Sequence, residues 1–279
     1  MMPPFSLAAL TVLELSPVEM VEVAARAGYD GVGLRLIPAT PEEHHYPLAS
    51  DASLLRRTRQ RLSDTGLKVV DIEILRLTPH SEVTRDFQRV LEVGAELGAS
   101  EVLVAGNDDD AGRTLDNFMA LCELARPLGL HPHLEFMPWT GVKDLPQARR
   151  LVAAAREAGH DNACLLVDAF HFNRSRSRLE DLAELPHAWL RYLQLCDVAG
   201  PVPDDMDEIL HQARQARCFP GEGDIDLTAL LAAIPRDIPH SLEIPTQALR
   251  ERGVSALERA SQALETARRL VAAGHAARN

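Results

Sequence analysis

Cysteine is sparse in this sequence, and its few copies are scattered. The chain has 279 residues and four cysteines, Cys122, Cys164, Cys196 and Cys218. None of them belongs to a Cys-x-x-Cys pair, and Cys164 and Cys196 lie in apolar runs. Disulfide frameworks and zinc knuckles need paired, regularly spaced cysteines. The spacing therefore favours reduced thiols in a cytoplasmic protein.

Positive charge is also in short supply. The chain has 29 Lys and Arg against 41 Asp and Glu, so its net charge is 29 − 41 = −12, and no basic stripe is present. Such a chain is a poor ligand for nucleic acids or anionic membranes, because both are polyanions. No run of about 18 apolar residues exists to cross a bilayer. The first apolar segment lacks a basic region before it, which argues against a signal peptide. We therefore expect neither a nucleic-acid nor a membrane partner.

Several common motifs are missing as well. The sequence contains no phosphate-loop glycine pattern, no serine nucleophile elbow and no dinucleotide fingerprint. No linker rich in Gly, Ser or Pro divides the chain, and its 46% hydrophobic content is enough for a large core. We therefore expect a single domain over residues 1–279.

What is present is an alternation of short β-like runs with helical patterns. Eight strands, each followed by a helix, in a chain of this length are typical of the (β/α)₈ TIM barrel, an α/β fold. Two segments between them are irregular, 38–50 and 199–223, although apolar spacing from Met206 to Ala216 predicts a short helix in the second. The strand candidates are Ser6–Leu10, Gly31–Leu36, Lys68–Ile74, Glu101–Ala105, His133–Met137, Cys164–Val167, Arg191–Leu195 and Ser241–Ile244.

Polar residues recur near the carboxyl ends of six of these strands. In Ser-Leu-Glu-Ile-Pro, Leu242 and Ile244 would face the helices, so alternation turns Glu243 into the barrel. The same argument, applied to Ile72 and Ile74, turns Glu73 inward. Active sites of TIM barrels form at this end. The inward set is Arg35, Glu73, Glu135, Asp168, Gln194 and Glu243.

Four members of this set offer oxygen ligands on strands five to eight: Glu135, Asp168, Gln194 and Glu243. Three buried carboxylates repel one another unless a cation joins them. Carboxylate and amide oxygens suit one divalent ion, Mn²⁺ or Mg²⁺ first, with Co²⁺ or Zn²⁺ as alternatives. The other interpretation is a hydrogen-bonded network without metal.

The remaining candidates would contact a substrate. His171 stands three residues beyond Asp168 and is either a substrate or proton-relay group or a helix cap. Arg217 is either a clamp for an anion or hydroxyl group, or a solvated helix end. Arg35 and Glu73 either contact the substrate or pair with each other across neighbouring strands.

Five segments carry a resemblance to a known family. They are Leu-Glu-Phe-Met-Pro, Val-Asp-Ala-Phe-His, Tyr-Leu-Gln-Leu-Cys-Asp, Pro-Gly-Glu-Gly-Asp-Ile-Asp and Ser-Leu-Glu-Ile-Pro. With them the chain resembles the sugar phosphate isomerase/epimerase superfamily with a xylose-isomerase-like barrel. The Gln at 194, where many members have His, is similar to the hydroxypyruvate-isomerase-like branch. The resemblance implies that Glu135, Asp168, Gln194 and Glu243 bind one divalent metal.

The resemblance also implies an activity. We expect an isomerase or epimerase of a small keto or aldo sugar that works through an enediolate, with Glu135 and Glu243 as acid and base. Dehydratases of the dehydroshikimate type share the scaffold and are the alternative. A non-catalytic sugar-binding barrel and an abasic-site endonuclease are further rivals, and the acidic charge argues against the second. The expected partner is a small polyhydroxylated substrate, and a homo-oligomer is left open.

Overall fold

Eight parallel strands form the centre of the molecule and follow one another around a closed ring in chain order. The computed structural model describes residues 2–276. The ring closes where β8 pairs with β1, which sets Ser6 opposite Ser241. This confirms the predicted TIM barrel. The strands are β1 Phe5–Leu7, β2 Gly31–Arg35, β3 Lys68–Leu77, β4 Glu101–Gly106, β5 His131–Glu135, β6 Cys164–Asp168, β7 Leu193–Leu195 and β8 His240–Leu242.

Helices connect the strands and surround the ring. The first of them shows why they start and stop where they do. The Ser16 hydroxyl accepts a hydrogen bond from the backbone N–H of Glu19, whose carboxylate accepts one from Ser16 N–H, and Gly28 ends the helix at a φ of 89°. The helices are α1 Pro17–Ala27, α2 Ala52–Thr65, α3 Val83–Glu96, α4 Ala111–Ala125, α5 Leu145–Glu157, α6 Ala169–Arg174, α7 Leu179–Ala183, α8 Met206–Gln215, α9 Leu227–Ala232, α10 Gln247–Glu251 and α11 Ala256–Ala276.

The apolar side chains form two layers, as strand alternation predicts. The larger layer lies between strands and helices and includes Leu134, Leu193 and Leu242. A smaller cluster fills the inside of the barrel, and Tyr192 is its largest member. The inward positions above this cluster are polar. The fold therefore places buried polar groups on a packed apolar floor.

Strand β3 departs from the expected alternation. Its pairing with β4 shifts register between Ile72 and Leu75. Ile74, which alternation turned towards the helices, packs instead with Leu103 and Met137 inside the barrel. The prediction for Ile74 was wrong because an irregularity in the strand resets which face each later side chain takes.

At the opposite, amino-terminal end of the barrel, a buried carboxylate joins three strands. Glu101 on β4 accepts a hydrogen bond from His133 Nε2 on β5 at 2.8 Å. It also accepts one from Arg191 Nε, just before β7, at 3.0 Å. Burial raises the pKa of Glu101, but His133 and Arg191 outweigh it and bring the pKa down to about 2. His133 is thus part of the lower end of the barrel.

The two irregular segments lie at the carboxyl end. Residues 199–223 contain the predicted short helix, α8, which packs Ile209 and Ala213 inward. Glu43 ties the segment 38–50 to the barrel because its carboxylate accepts two hydrogen bonds from Arg35 Nη1. None of the helices formed by residues 2–276 combines the length and the apolar character that crossing a membrane requires.

Candidate metal centre and substrate pocket

Asp168 is the last residue of β6 and also the N-cap of α6. Its Oδ1 accepts a hydrogen bond from the backbone N–H of His171 at 2.9 Å. This contact explains the spacing of three residues, because an N-cap carboxylate reaches the third residue of its helix. The capping bond sets His171 beside the carboxylate.

Glu135 completes a compact buried group with these two residues. One possible ligand atom from each of Glu135, Asp168 and His171 lies within 4.8 Å of the others. His171 Nε2 is 3.7 Å from Glu135 Oε1, and this oxygen has no hydrogen-bond partner among the described residues. Buried oxygens without donors are costly unless a cation occupies their lone pairs. The geometry therefore fits a divalent ion.

Gln194 and Glu243 lie next to this group. Gln194 is the register neighbour of Asp168 on the adjacent strand. Its Nε2 donates to Glu243 Oε1 at 3.1 Å, which leaves Gln194 Oε1 buried and, among residues 2–276, without a donor. The amide thus presents its oxygen as a ligand and its nitrogen to a carboxylate. The four predicted ligands converge, and their role as a ligand set stays a prediction.

Arg217 contacts two of the carboxylates of the site, Asp168 and Glu243. Its Nη1 donates to Asp168 Oδ2 at 2.7 Å, and its Nη2 lies 3.0 Å from Glu243 Oε2. The side chain is held by Ala213 O and stacks over Phe170, with the guanidinium carbon 4.9 Å from the ring centre. Arg217 is 4% exposed, so the alternative of a solvated helix end was wrong. The residue compensates the negative charge of the site.

The carboxyl groups have different proton affinities. Burial, with Asp168 and Glu243 nearby, raises the pKa of Glu135 well above its usual value. Burial also raises the pKa of Glu243 to about 7, although Arg217 opposes this. Burial acts in the same sense on Asp168, but Arg217 and His171 outweigh it and lower its pKa. Groups with pKa values that differ this way can exchange protons with a substrate near neutral pH.

His171 is a neutral imidazole at pH 7. Burial lowers its pKa to about 4, although Asp168 acts in the opposite sense. Its ring packs against Trp139 with 5.0 Å between ring centres. A neutral ring can accept or donate one hydrogen bond on the pocket side.

A cavity of about 210 Å³ opens above these residues at the mouth of the barrel. Glu135, His171, Arg217 and Glu243 line it, together with Arg35. Apolar side chains such as Ile74, Leu103 and Trp139 form another part of its wall. The cavity has room for a small molecule with one polar end and one apolar face.

Arg35 on β2 and Glu73 on β3 form an ion pair across neighbouring strands, which was one of the two interpretations of these residues. Arg35 Nε donates to Glu73 Oε1 at 2.9 Å. Arg35 lines the cavity, whereas Glu73 lies fully buried behind it. Direct contact of these two residues with a substrate stays a prediction.

Two arginines that line the cavity escaped the sequence analysis: Arg76 and Arg214. Strict alternation from Glu73 would turn Arg76 towards the helices, but the irregularity in β3 brings it to the pocket. Arg214 lies in the last turn of α8, where a basic residue is ordinary. One hint in the sequence that Arg214 belongs to the pocket is its spacing of three residues from the candidate Arg217.

Asp71 on β3 lies beneath the pocket and is a further buried carboxyl group with a shifted pKa. It is fully buried, and neither oxygen has a hydrogen-bond partner among the described residues. Gly33 on β2 makes room for it, since a Cβ there would lie 2.6 Å from Asp71 Oδ1. Burial, followed by the charges of Glu73 and Glu243, raises the pKa of Asp71 well above its usual value. Burial therefore favours the protonated form of Asp71 in the folded protein.

The Pro-Gly-Glu-Gly-Asp segment wraps around a carboxylate of the chain itself. Asp197 Oδ2 accepts hydrogen bonds from the N–H groups of Gly221 and Gly223, each at 3.0 Å. Its Oδ1 accepts one from Ile225 N–H at 3.1 Å. These amides bind a carboxylate in place of a phosphate, so the segment is a structural turn.

Similarity searches agree on where this architecture belongs. The profile of the family described as "Xylose isomerase-like TIM barrel" matches residues 21–271. A 3-dehydroshikimate dehydratase from Pseudomonas aeruginosa is 30% identical over 77% of this chain and 33% of its own length. The chain thus spans about a third of the length of this relative. An inosose isomerase from Bacillus velezensis is 25% identical over 80% of this chain and 81% of its own length.

A solved structure has the same fold. The IolI protein, whose crystal structure is described with a binding zinc atom, superposes with a TM-score of 0.79 over 96% of this chain and 98% of its own, at 22% identity. Because the family profile covers nearly the whole barrel, the chain belongs to the family of xylose isomerase-like TIM barrel proteins.

Proposed function

We propose that this protein is a divalent-metal-dependent enzyme that moves a proton next to the carbonyl group of a small polyhydroxylated ketone or aldehyde. The observation that carries this proposal is the buried group of Glu135, Asp168 and His171 beside a cavity that opens at the mouth of the barrel, with a Glu135 oxygen that has no hydrogen-bond partner among the described residues. The zinc in the IolI structure supports the metal.

The oxygen-rich set suits a hard or borderline ion. Glu135, Asp168, Gln194 and Glu243 would hold it, and Mn²⁺ or Mg²⁺ is our first choice, with Zn²⁺ or Co²⁺ as alternatives. Such an ion supplies a Lewis acid beside the substrate carbonyl, which makes the neighbouring C–H more acidic.

The chain's own residues supply the proton transfers. Glu135 and Glu243 come from strands β5 and β8 and both line the cavity, so they approach a substrate from different directions. One of them takes the proton from the carbon next to the carbonyl, and the other returns a proton.

Other residues orient the substrate and exclude water. His171 offers a neutral imidazole to a hydroxyl group, and Trp139 holds its ring in place. Arg217 keeps Asp168 ionised, as the lowered pKa of this carboxyl shows. The apolar wall at Ile74 and Leu103 covers the carbon skeleton.

The carbon atom and the face that receive the returned proton decide the product. Return to the same carbon on the other face gives an epimer, and return to the neighbouring carbon gives an isomer. Isomerisation is our first proposal, since the chain spans 81% of the inosose isomerase from Bacillus velezensis.

Dehydration is the second candidate. The same proton removal, followed by loss of a β-hydroxyl group with a proton from Glu135 or Glu243, yields an unsaturated product. The 30% identity with the 3-dehydroshikimate dehydratase from Pseudomonas aeruginosa favours this outcome. That relative is about three times as long, so its activity is carried over only as a proposal.

One experiment tests the shared step and separates the outcomes. Purified protein is incubated in D₂O with an inosose or with 3-dehydroshikimate, with Mn²⁺ and with EDTA, and followed by NMR. We expect metal-dependent turnover, with a deuterated isomeric product from the first compound or an aromatic product and released water from the second. Asp168→Ala should abolish it, whereas Asp204→Ala, at a fully exposed carboxylate, should not. Unchanged substrate without any deuterium, from both compounds and with metal bound, would reject the proposal.

A further inference from the structure

We infer that the substrate carries an anionic group, a carboxylate or a phosphate, and that Arg76 and Arg214 bind it at the rim of the cavity. The inference rests on the proposed function for the location of the substrate. It starts from a count of charges around the cavity.

Most charged groups that line the cavity already have a partner of opposite sign. Arg35 pairs with Glu43 and Glu73, each at 2.9 Å. Arg217 pairs with Asp168 and Glu243. Glu135 faces the proposed metal. These contacts leave two cations, Arg76 and Arg214.

Arg76 is held in place without being neutralised. Its Nη1 donates to the neutral side chain of Asn107 at 3.0 Å. Its Nε is buried and makes no hydrogen bond to a described residue. Neither Arg76 nor Arg214 forms an ion pair within residues 2–276, in a chain with a net charge of −12. A guanidinium group that is held in place and partly buried without a counter-charge lowers the stability of the folded protein, unless an anionic ligand binds to it.

Arg76 and Arg214 line the same cavity although they belong to different secondary-structure elements. Arg76 is the penultimate residue of β3, and Arg214 lies on α8. Burial lowers the pKa of Arg76, and the charges of Arg35 and Arg214 lower it further. Arg76 and Arg214 thus present two like charges to one cavity, and an anion bound there would be attracted by both.

Their position relative to the proton-transfer groups defines the kind of molecule. Glu135 is close enough to Arg76 to act on its pKa in the opposite sense. The apolar residues Ile74 and Leu103 also line this cavity. The substrate class is thus a small polyol that carries both a carbonyl group and an anionic group.

Arg214 has a competing explanation as a helix-end cation, because it lies in the last turn of α8. A residue with that role stabilises the helix by a few tenths of a kcal/mol to about 1 kcal/mol and does not recognise ligands. Ligand affinity and melting temperature therefore separate the two roles.

The test is equilibrium binding to the full chain with three probes that share a hydroxylated six-membered ring: myo-inositol, quinate and inositol 1-phosphate. Calorimetry should show at least one anionic probe binding roughly 10-fold or more tightly than myo-inositol. The tighter of quinate and inositol 1-phosphate identifies the group as carboxylate or phosphate. Arg76→Gln and Arg214→Gln should each remove most of this preference and leave myo-inositol binding unchanged. Arg85→Gln, at an exposed arginine on α3, is the matched control.

Two results would overturn the inference: equal affinity for all three probes, or an anion preference that both variants retain. A variant that only lowers the melting temperature counts against recognition by that arginine. Because the measurement needs no turnover, an inactive protein that still prefers the anion refutes the proposed function alone. Conversely, active protein without the preference refutes only this inference.

Discussion

At the scale of single residues, Arg217 is the most consequential side chain of the site. It contacts both Asp168 and Glu243 and is nearly fully buried. Removing one partner of a buried ionic group leaves uncompensated charge, which typically costs about 3–5 kcal/mol. Arg217 thus contributes to the stability of the carboxyl end of the barrel as well as to its chemistry.

We predict that Arg217→Met lowers the free energy of unfolding by about 3–5 kcal/mol in the presence of EDTA, because two buried carboxylates lose their counter-charge. Urea denaturation measures this. Arg174→Met is the matched control, since Arg174 is also buried and stacks on Phe170 but contacts only neutral groups. An equal loss in both variants would show that packing, and not charge, is what Arg217 contributes.

The two cavity glutamates should carry the chemistry, and Asp168 the metal. Glu135→Gln and Glu243→Gln keep the shape of the side chain and remove a base, so each should reduce turnover by about 100-fold or more. Metal content, measured by elemental analysis, should fall more in Asp168→Ala than in either Gln variant. Full turnover in both Gln variants would leave these glutamates without a role in proton transfer.

At the scale of elements, Glu101 fastens β4 to β5 and to the start of β7 from the lower end of the barrel. Its pKa of about 2 in the folded protein lies below the usual value of 4.5. A depressed folded pKa stabilises the protein above the unfolded pKa, and this contribution is lost as pH falls from about 5 to about 2. The contribution amounts to at most about 3 kcal/mol.

Glu101→Gln should therefore reduce the free energy of unfolding at pH 7 and flatten its decline between about pH 5 and pH 2. Thermal or urea unfolding across this range, monitored by circular dichroism, measures the slope. Glu96→Gln, at a surface carboxylate on α3, serves as the control. Parallel pH profiles for the wild type and Glu101→Gln would contradict the assignment.

The strands also show what could be read from the sequence. Period-two alternation, apolar runs and the count of eight predicted the barrel and the convergence of Glu135, Asp168 and Glu243, because these features are local. The register shift in β3 is a tertiary feature without a local signal, so Ile74 and Arg76 took the faces opposite to those expected. The partners of Arg217 depended on how a long loop folds back, which no spacing predicts.

At the scale of the whole molecule, charge is distributed unevenly. The chain carries 12 more negative than positive charges, yet its cavity gathers four arginines, Arg35, Arg76, Arg214 and Arg217. Excess negative charge disfavours contact with polyanions, and the expected absence of a nucleic-acid partner stays a prediction. Carboxylates lie beside these arginines, and within residues 2–276 Arg76 and Arg214 are the two that form no ion pair with them.

The raised pKa of Asp71 beneath the pocket has a consequence for the protein as a whole. An acid whose pKa is raised on folding keeps its proton to a higher pH than the unfolded chain does, so folding takes up a proton in the range between the two pKa values. Stability from this group is complete below the unfolded pKa and declines as the solution becomes more alkaline. Glu101 works in the reverse direction. Asp71 and Glu101 are register neighbours on β3 and β4, so these two opposing dependences of stability on pH arise side by side in the lower part of the barrel.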